Sequence, residues 1–272
     1  MFLIAALVIV ITACNKEVVI NPGEDPNFTI VLNEDEGFSA FNRKVEVFQI
    51  PIYAKKKVDD ARLLHAANVM AQYLDNDEDG EIDNALVHAA LIENKAFLFM
   101  WASKTDMLFA NLPDDAEGQD LGNDETKFEW HENGRTGRFD ASLEEVLHLI
   151  THVGYASVYP NVFGEYQGTD LCNAMDVARG GYYENIPSIY PEAAWYHYDD
   201  VTCDYGCMAT EYIYWAMTSI LGGQENRRDE ISHEWELSSE SLVQISDTLV
   251  YNLLTNEDFK FPTTLPDGKY MR

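Results

Sequence analysis

Ser142-Leu-Glu-Glu-Val-Leu-His-Leu-Ile-Thr-His-Val-Gly-Tyr155 reads as a helix, apolar through Val146, Leu147, Leu149 and Ile150. Helix residues three and four apart are neighbours. Glu145, His148 and His152 therefore share one face, and Glu144, His148 and His152 share a stripe at intervals of four. Such groups in an apolar helix need partners, because a polar group buried alone is costly. A divalent cation is one partner, and His pairs one turn apart are a common way to hold zinc. A plainer reading stands beside it. Ser142 with Glu145 fits a capping box, acids suit a helix start, and each imidazole can be met by a backbone carbonyl.

Outward from this helix the chain is mostly helical. Helices are expected over Val58–Leu74, Asn84 to about Glu93, Asp170–Ala178, Met208–Leu221 with a Gly222-Gly223 stop, Ile231–Glu236 and Ser239–Leu254. Phe28–Leu32 and the alternating Val45–Tyr53 read as strands, with Pro51 favouring a sheet edge. Ala96–Trp101 is apolar throughout and reads as a buried strand or helix end. Asn111–Gly137 is a polar loop that could wall or cover the histidine helix. Tyr155–Gly168 reads as a turn region, Tyr182–Asp204 as irregular and Phe261–Arg272 as an extended tail. No internal repeat is visible. The expectation is an α+β, predominantly helical, single globular domain over 36–272, with a few short strands near the N-terminus.

The 272 residues carry 47 acids against 18 Lys and Arg, a net charge of −29. Such a surface repels nucleic acid and anionic membrane faces and attracts divalent cations. Phe2–Ala13 is apolar apart from Thr12, too short to span a bilayer as a helix, and fits a signal-peptide core. With Cys14 directly after Ala13 it resembles a bacterial lipoprotein signal, without the usual positive start. That resemblance implies a signal over 1–14, lipidation of Cys14, a flexible tether over 15–35, and a monomeric domain facing the periplasm or cell exterior. The membrane would be met only through that anchor. Export favours disulfides, and Cys172 paired with Cys203 or Cys207 would join distant segments.

Between two helices, Asp75, Asp77, Asp79, Gly80, Ile82 and Asp83 match six positions of a calcium-binding EF-hand loop, with Glu81 offering its backbone carbonyl. The loop resembles the EF-hand-like loops of dockerins, except that Leu86 stands where the last acidic ligand is expected. The resemblance implies a fixed structural calcium.

His148-Leu-Ile-Thr-His152 has the spacing of the zinc-binding helix of metallopeptidases, and Met208–Ser219, with Glu211 as its single charge, resembles the second helix of the gluzincins. Over about residues 140–222 that resemblance implies zinc on His148, His152 and Glu211, although Leu149 occupies the place of the catalytic Glu. A second register makes Glu144 and His148 ligands and Glu145 the general base, with His152 or Glu211 completing the site. Tyr155, Tyr212 or His197 would stabilise the oxyanion. The implied function is a surface-anchored, zinc-dependent hydrolase acting on peptides. The alternative is a non-catalytic, calcium-stabilised surface module contacting peptide or glycan through Tyr182, Tyr183, Trp195, Tyr196 and Tyr198. A third reading is metal scavenging.

Overall fold

A six-stranded mixed sheet organises the N-terminal half of the molecule, with one face covered by helices and the other carrying an aromatic cluster that includes Tyr53. The computed structural model describes residues 19–21, 25–108 and 112–272. The apolar run, Cys14 and part of the expected tether lie outside the described residues. The sheet runs in chain order: β1 (Val19–Asn21), β2 (Ile30–Leu32), β3 (Arg43–Val47), β4 (Ile50–Ala54), β5 (Phe97–Trp101) and β6 (Gly118–Gly122). The first four strands pair antiparallel, and β4–β5 and β5–β6 pair parallel. Parallel neighbours need a crossover. That between β4 and β5 is made by α1 (Asp60–Leu74) and α2 (Ala85–Glu93), and that between β5 and β6 contains α3 (Lys104–Leu108). The chain is an α+β protein, as its pattern implies.

The single strand expected over Val45–Tyr53 is a hairpin. Phe48 and Gln49, at φ 47° and 71°, form a two-residue turn with both residues left-handed. Val47–Ile50 closes this hairpin, so the next pair, Glu46–Pro51, exchanges no ladder hydrogen bonds. Pro51 therefore sits in an interior strand, not at an edge. Its nitrogen faces β5, where pairing begins only at Ile52. Ile52, Ala54, Leu98 and Met100 enter the main core, whereas Tyr53, Phe97 and Phe99 pack with Phe41 on the other face.

The expected tether is partly built into the fold. β1 pairs with β2, Asp25 accepts from Asn68 at 2.7 Å, and Asp35 pairs with Lys44 at 2.9 Å and accepts from Tyr53 at 2.8 Å. The expected loop over 111–137 holds β6 and α4 (Phe128–Glu132). Then follow α5 (Ser142–Leu149), a π-helical turn (Ile150–Tyr155), α6 (Ala156–Val158), α7 (Pro160–Phe163), α8 (Asp170–Ala178) and α9 (Tyr205–Ile220). Three further helices close the chain: α10 (Arg228–Ile231), α11 (Glu240–Ser246) and α12 (Thr248–Leu254).

Two expected helices differ. Ile231–Glu236 leaves the helix at once, because Trp235 bridges Tyr196 and buries its indole against Leu237 O (2.8 Å). Ser239–Leu254 breaks at Asp247, a buried carboxylate that accepts from Tyr212 (2.6 Å), Trp195 (2.8 Å) and the Val250 amide (3.3 Å). Of the expected contact residues Tyr196 is buried, Tyr183, Trp195 and Tyr198 are half-buried, and Tyr182 is exposed. The disulfide joins Cys203 to Cys207, across the first turn of α9 where Asp204 caps the Cys207 amide, while Cys172 is free and buried. A helix start brings residues four apart together, so the bridge is local and does not staple distant segments.

α5 lies where these parts meet, packed against α1, β5, β6 and α9. Among the described residues no helix is long and apolar enough to cross a membrane.

Candidate metal centre

The start of α5 is fixed by Asp140. This fully buried carboxylate takes His65 Nε2 at 2.6 Å, His131 Nε2 at 2.9 Å and the Ser142 hydroxyl at 2.7 Å on one oxygen, and the Lys127 amide at 2.7 Å on the other. Ser142 therefore serves Asp140, and the capping box with Glu145 does not form. Burial alone would raise the Asp140 carboxyl, but His65 and His131 hold it far below the usual carboxylate range. These short contacts are direct hydrogen bonds. The group braces α1, α4 and α5 together.

One turn along α5 the geometry is different. Glu144 and His148 meet Glu211 of α9, with one ligating atom from each inside a sphere of mutual separations under 4.8 Å. His148 Nε2 is buried, has no hydrogen-bond partner, and stands 3.6 Å from Glu211 Oε2. That distance is too long for a hydrogen bond. It is close to the roughly 3.4 Å that separates two ligands at tetrahedral angles around a zinc ion about 2.1 Å from each. Glu145 Oε2 lies 3.6 Å from the other ring nitrogen, Nδ1, and is held by Gln119 Nε2 at 2.5 Å. The Tyr198 hydroxyl donates to Glu211 Oε1 at 3.1 Å, and the Tyr214 hydroxyl lies against Glu144.

The electrostatics point the same way. Burial, then the charges of Glu211 and Glu145, push the Glu144 carboxyl up. Burial likewise raises Glu211, against the pull of His148. Burial opposes the His148 imidazolium, but Glu211, Glu145 and Glu144 outweigh it and raise its pKa. Glu144 and Glu211 thus hold their protons more tightly than in water, and a divalent cation can replace those protons.

His152 does not join this group. The π turn that begins at Ile150 bonds i to i+5 and breaks the four-residue stacking of the helix. Gly154 lets that turn lie on α2, since a Cβ there would come within 2.7 Å of Val87 Cγ1. His152 is instead half-exposed, with Nδ1 2.6 Å from Glu165 Oε2. Tyr155 is also elsewhere. Its hydroxyl meets the carbonyls of Phe259 and Lys260 at 3.0 and 3.1 Å, and its ring stacks on Phe261, so it pins the C-terminal tail. Of the other oxyanion candidates, Tyr212 is spent on Asp247 and His197 Nε2 on Ala194 O at 2.9 Å.

His148 and Glu211 open into a cleft of about 400 Å³ shared with Gln119, His152, Glu165 and Thr210, and no Lys or Arg lines it. A larger cavity, about 540 Å³, lies by Phe38, Tyr53 and Phe97 on the sheet's aromatic face, away from these ligating groups.

In the acidic loop, Asp75, Asp77 and Asp79 converge. Asp75 is fully buried and accepts from the amides of Asp79 (3.1 Å) and Gly80 (2.9 Å) and from the Tyr270 hydroxyl. Gly80, at φ 91°, makes the turn. Glu81 donates its amide to Asp79 at 2.8 Å, while Asp83 accepts from the Asn76 amide at 2.7 Å and stays apart from the three converging acids.

Comparison with protein families, with curated proteins and with solved structures finds no match to this chain.

Proposed function

We propose that this chain is a surface-anchored, metal-dependent hydrolase whose catalytic cation is held by Glu144, His148 Nε2 and Glu211. The observation that carries this reading is the buried, partnerless His148 Nε2 facing Glu211 at ligand spacing beside an open cleft. An imidazole and two carboxylates suit zinc. A zinc ion there would activate a water in the cleft. Two carboxylate ligands cancel the ion's charge, so its water is less acidic than on a three-imidazole site and a base is needed. Glu145 is the carboxylate outside the converging group, is fixed by Gln119, and is the residue we assign to receive that proton. Peptides are the substrate class. The acidic loop holds a structural calcium on Asp75, Asp77 and Asp79 with the backbone carbonyl of Glu81.

The test uses the zinc-loaded protein and a mixed library of fluorogenic peptides. Glu145→Gln should keep its zinc and lose at least 100-fold in kcat. Full turnover in that variant would remove Glu145 from the mechanism. Zinc binding with no cleavage of any amide or ester by the wild type would favour the alternative, a non-catalytic surface module.

A further inference from the structure

We infer that His152 is an anion-binding residue, positioned by Glu165, that takes up the negative charge developing on the substrate oxygen across the cleft from the cation. The inference rests on the metal reading above, and it gives a role to a histidine that the structure keeps out of the converging ligand group.

Its support is a short chain of hydrogen bonds with one free end. His152 Nδ1 is committed to Glu165 Oε2 at 2.6 Å, and Glu165 Oε1 accepts the Thr210 hydroxyl at 2.7 Å. Glu165 is thus gripped from both sides, by the π turn and by α9, and only 13% of its side chain is exposed. With Nδ1–H donated to Glu165, Nε2 is a donor in the imidazolium, the form that the bond to Glu165 favours. That donor belongs to a side chain 55% exposed on the same cleft as His148 and Glu211. The bond to Glu165 raises the pKa of His152 and favours the imidazolium; burial and His148 oppose it, and the charge of Glu117 adds to it. Asp204 and Glu211 also line the cleft.

His148 and His152 line the same cleft, and the π turn sets His152 apart from the ligand group. A tetrahedral oxyanion with one oxygen on a cation and another hydrogen-bonded to a ring nitrogen spans roughly 6–7 Å. The amide and hydroxyl donors that line the cleft are engaged, Gln119 with Glu145 and Thr210 with Glu165, and Tyr155, Tyr212 and His197 are committed elsewhere. Donors aimed at developing charge are a large source of rate enhancement.

The experiment uses the full chain loaded with cobalt(II), whose visible absorption reports its ligands, and inorganic phosphate as a tetrahedral probe. Wild type, His152→Ala and Glu165→Gln are compared. His152 is half-exposed, so its replacement leaves the fold intact, and an unchanged Tm checks this. All three proteins should bind cobalt equally with the same spectrum. Phosphate should bind the wild type, about 10-fold more weakly His152→Ala, and several-fold more weakly Glu165→Gln. Equal phosphate affinity within twofold in wild type and His152→Ala, or no phosphate binding to the cobalt wild type, overturns the inference and leaves the metal reading standing. Loss of cobalt in His152→Ala makes His152 a ligand and overturns the inference. A wild type that takes up no cobalt removes the metal reading itself.

Discussion

Raising the pH should destabilise the metal-free protein through the Glu144–His148–Glu211 cluster. In the fold, Glu144 is raised to about 8 from an ordinary 4.5, by burial first and then by Glu211 and Glu145. His148 is raised to about 10 from 6.5, its neighbouring carboxylates outweighing burial. Both folded values lie above the unfolded ones, so the folded state binds more protons and stability falls as pH rises. The His148 contribution is complete below about pH 6.5 and is lost towards pH 10. The Glu144 penalty is absent below about pH 4.5 and complete by about pH 8. Each extra proton held by the fold gives a slope of about −1.4 kcal/mol per pH unit. Glu144 retains partial solvent contact, so its share between pH 5 and 8 is on the order of 1–3 kcal/mol. For a chain of this size that is roughly 2–5 °C in Tm. The assay is thermal unfolding of chelator-treated wild type and Glu144→Gln from pH 5 to 8. The comparison cancels the other raised carboxylates. The variant should match the wild type near pH 5 and exceed it by that amount at pH 8. Parallel curves would refute the assignment of a buried, proton-holding Glu144.

Asp140→Asn should lower stability by about 3–5 kcal/mol, read from the urea midpoint, because His65, His131 and Ser142 lose their buried carboxylate partner. A change under 1 kcal/mol would mean that the brace is not formed. Gly154→Val should cost about 1–3 kcal/mol by overpacking against Val87, and an unchanged Tm would show that α2 does not lie against the π turn. Calcium at about 100 times its dissociation constant should stabilise the wild type by roughly 2.7 kcal/mol and leave Asp77→Ala unaffected. Equal responses in the two proteins would remove the loop as the binding site.

Much of the helical layout was legible because it is local. α1 and α2 begin and end within two residues of their patterns, and Asn84 accepts the Val87 amide as a helix cap should. Glu211 stood out as one charge in an apolar helix, and its association with His148 was implied by the resemblance of that helix to the second gluzincin helix. What was hidden depends on other parts of the chain. Gly118-Gln-Asp-Leu-Gly122 shows no strand alternation, and β5 alone makes it a strand. Phe48-Gln49 lacks the Asn-Gly signature of its turn. The π turn that parts His152 from His148 follows from close packing at Gly154 on Val87, which no spacing rule shows. Gln119, Tyr198 and Tyr214 reach the centre from distant segments. Nothing in the sequence pattern paired His65 with Asp140, 75 residues away.

The most direct test is the metal content of the purified protein after dialysis against zinc and calcium, by mass spectrometry, for wild type, His148→Ala, Glu211→Gln and His152→Ala. One zinc per chain should remain in the wild type and in His152→Ala and fall below a tenth in the other two, with calcium unchanged throughout. Zinc lost equally from all three variants, or retained by Glu211→Gln, would contradict a centre built from Glu144, His148 and Glu211.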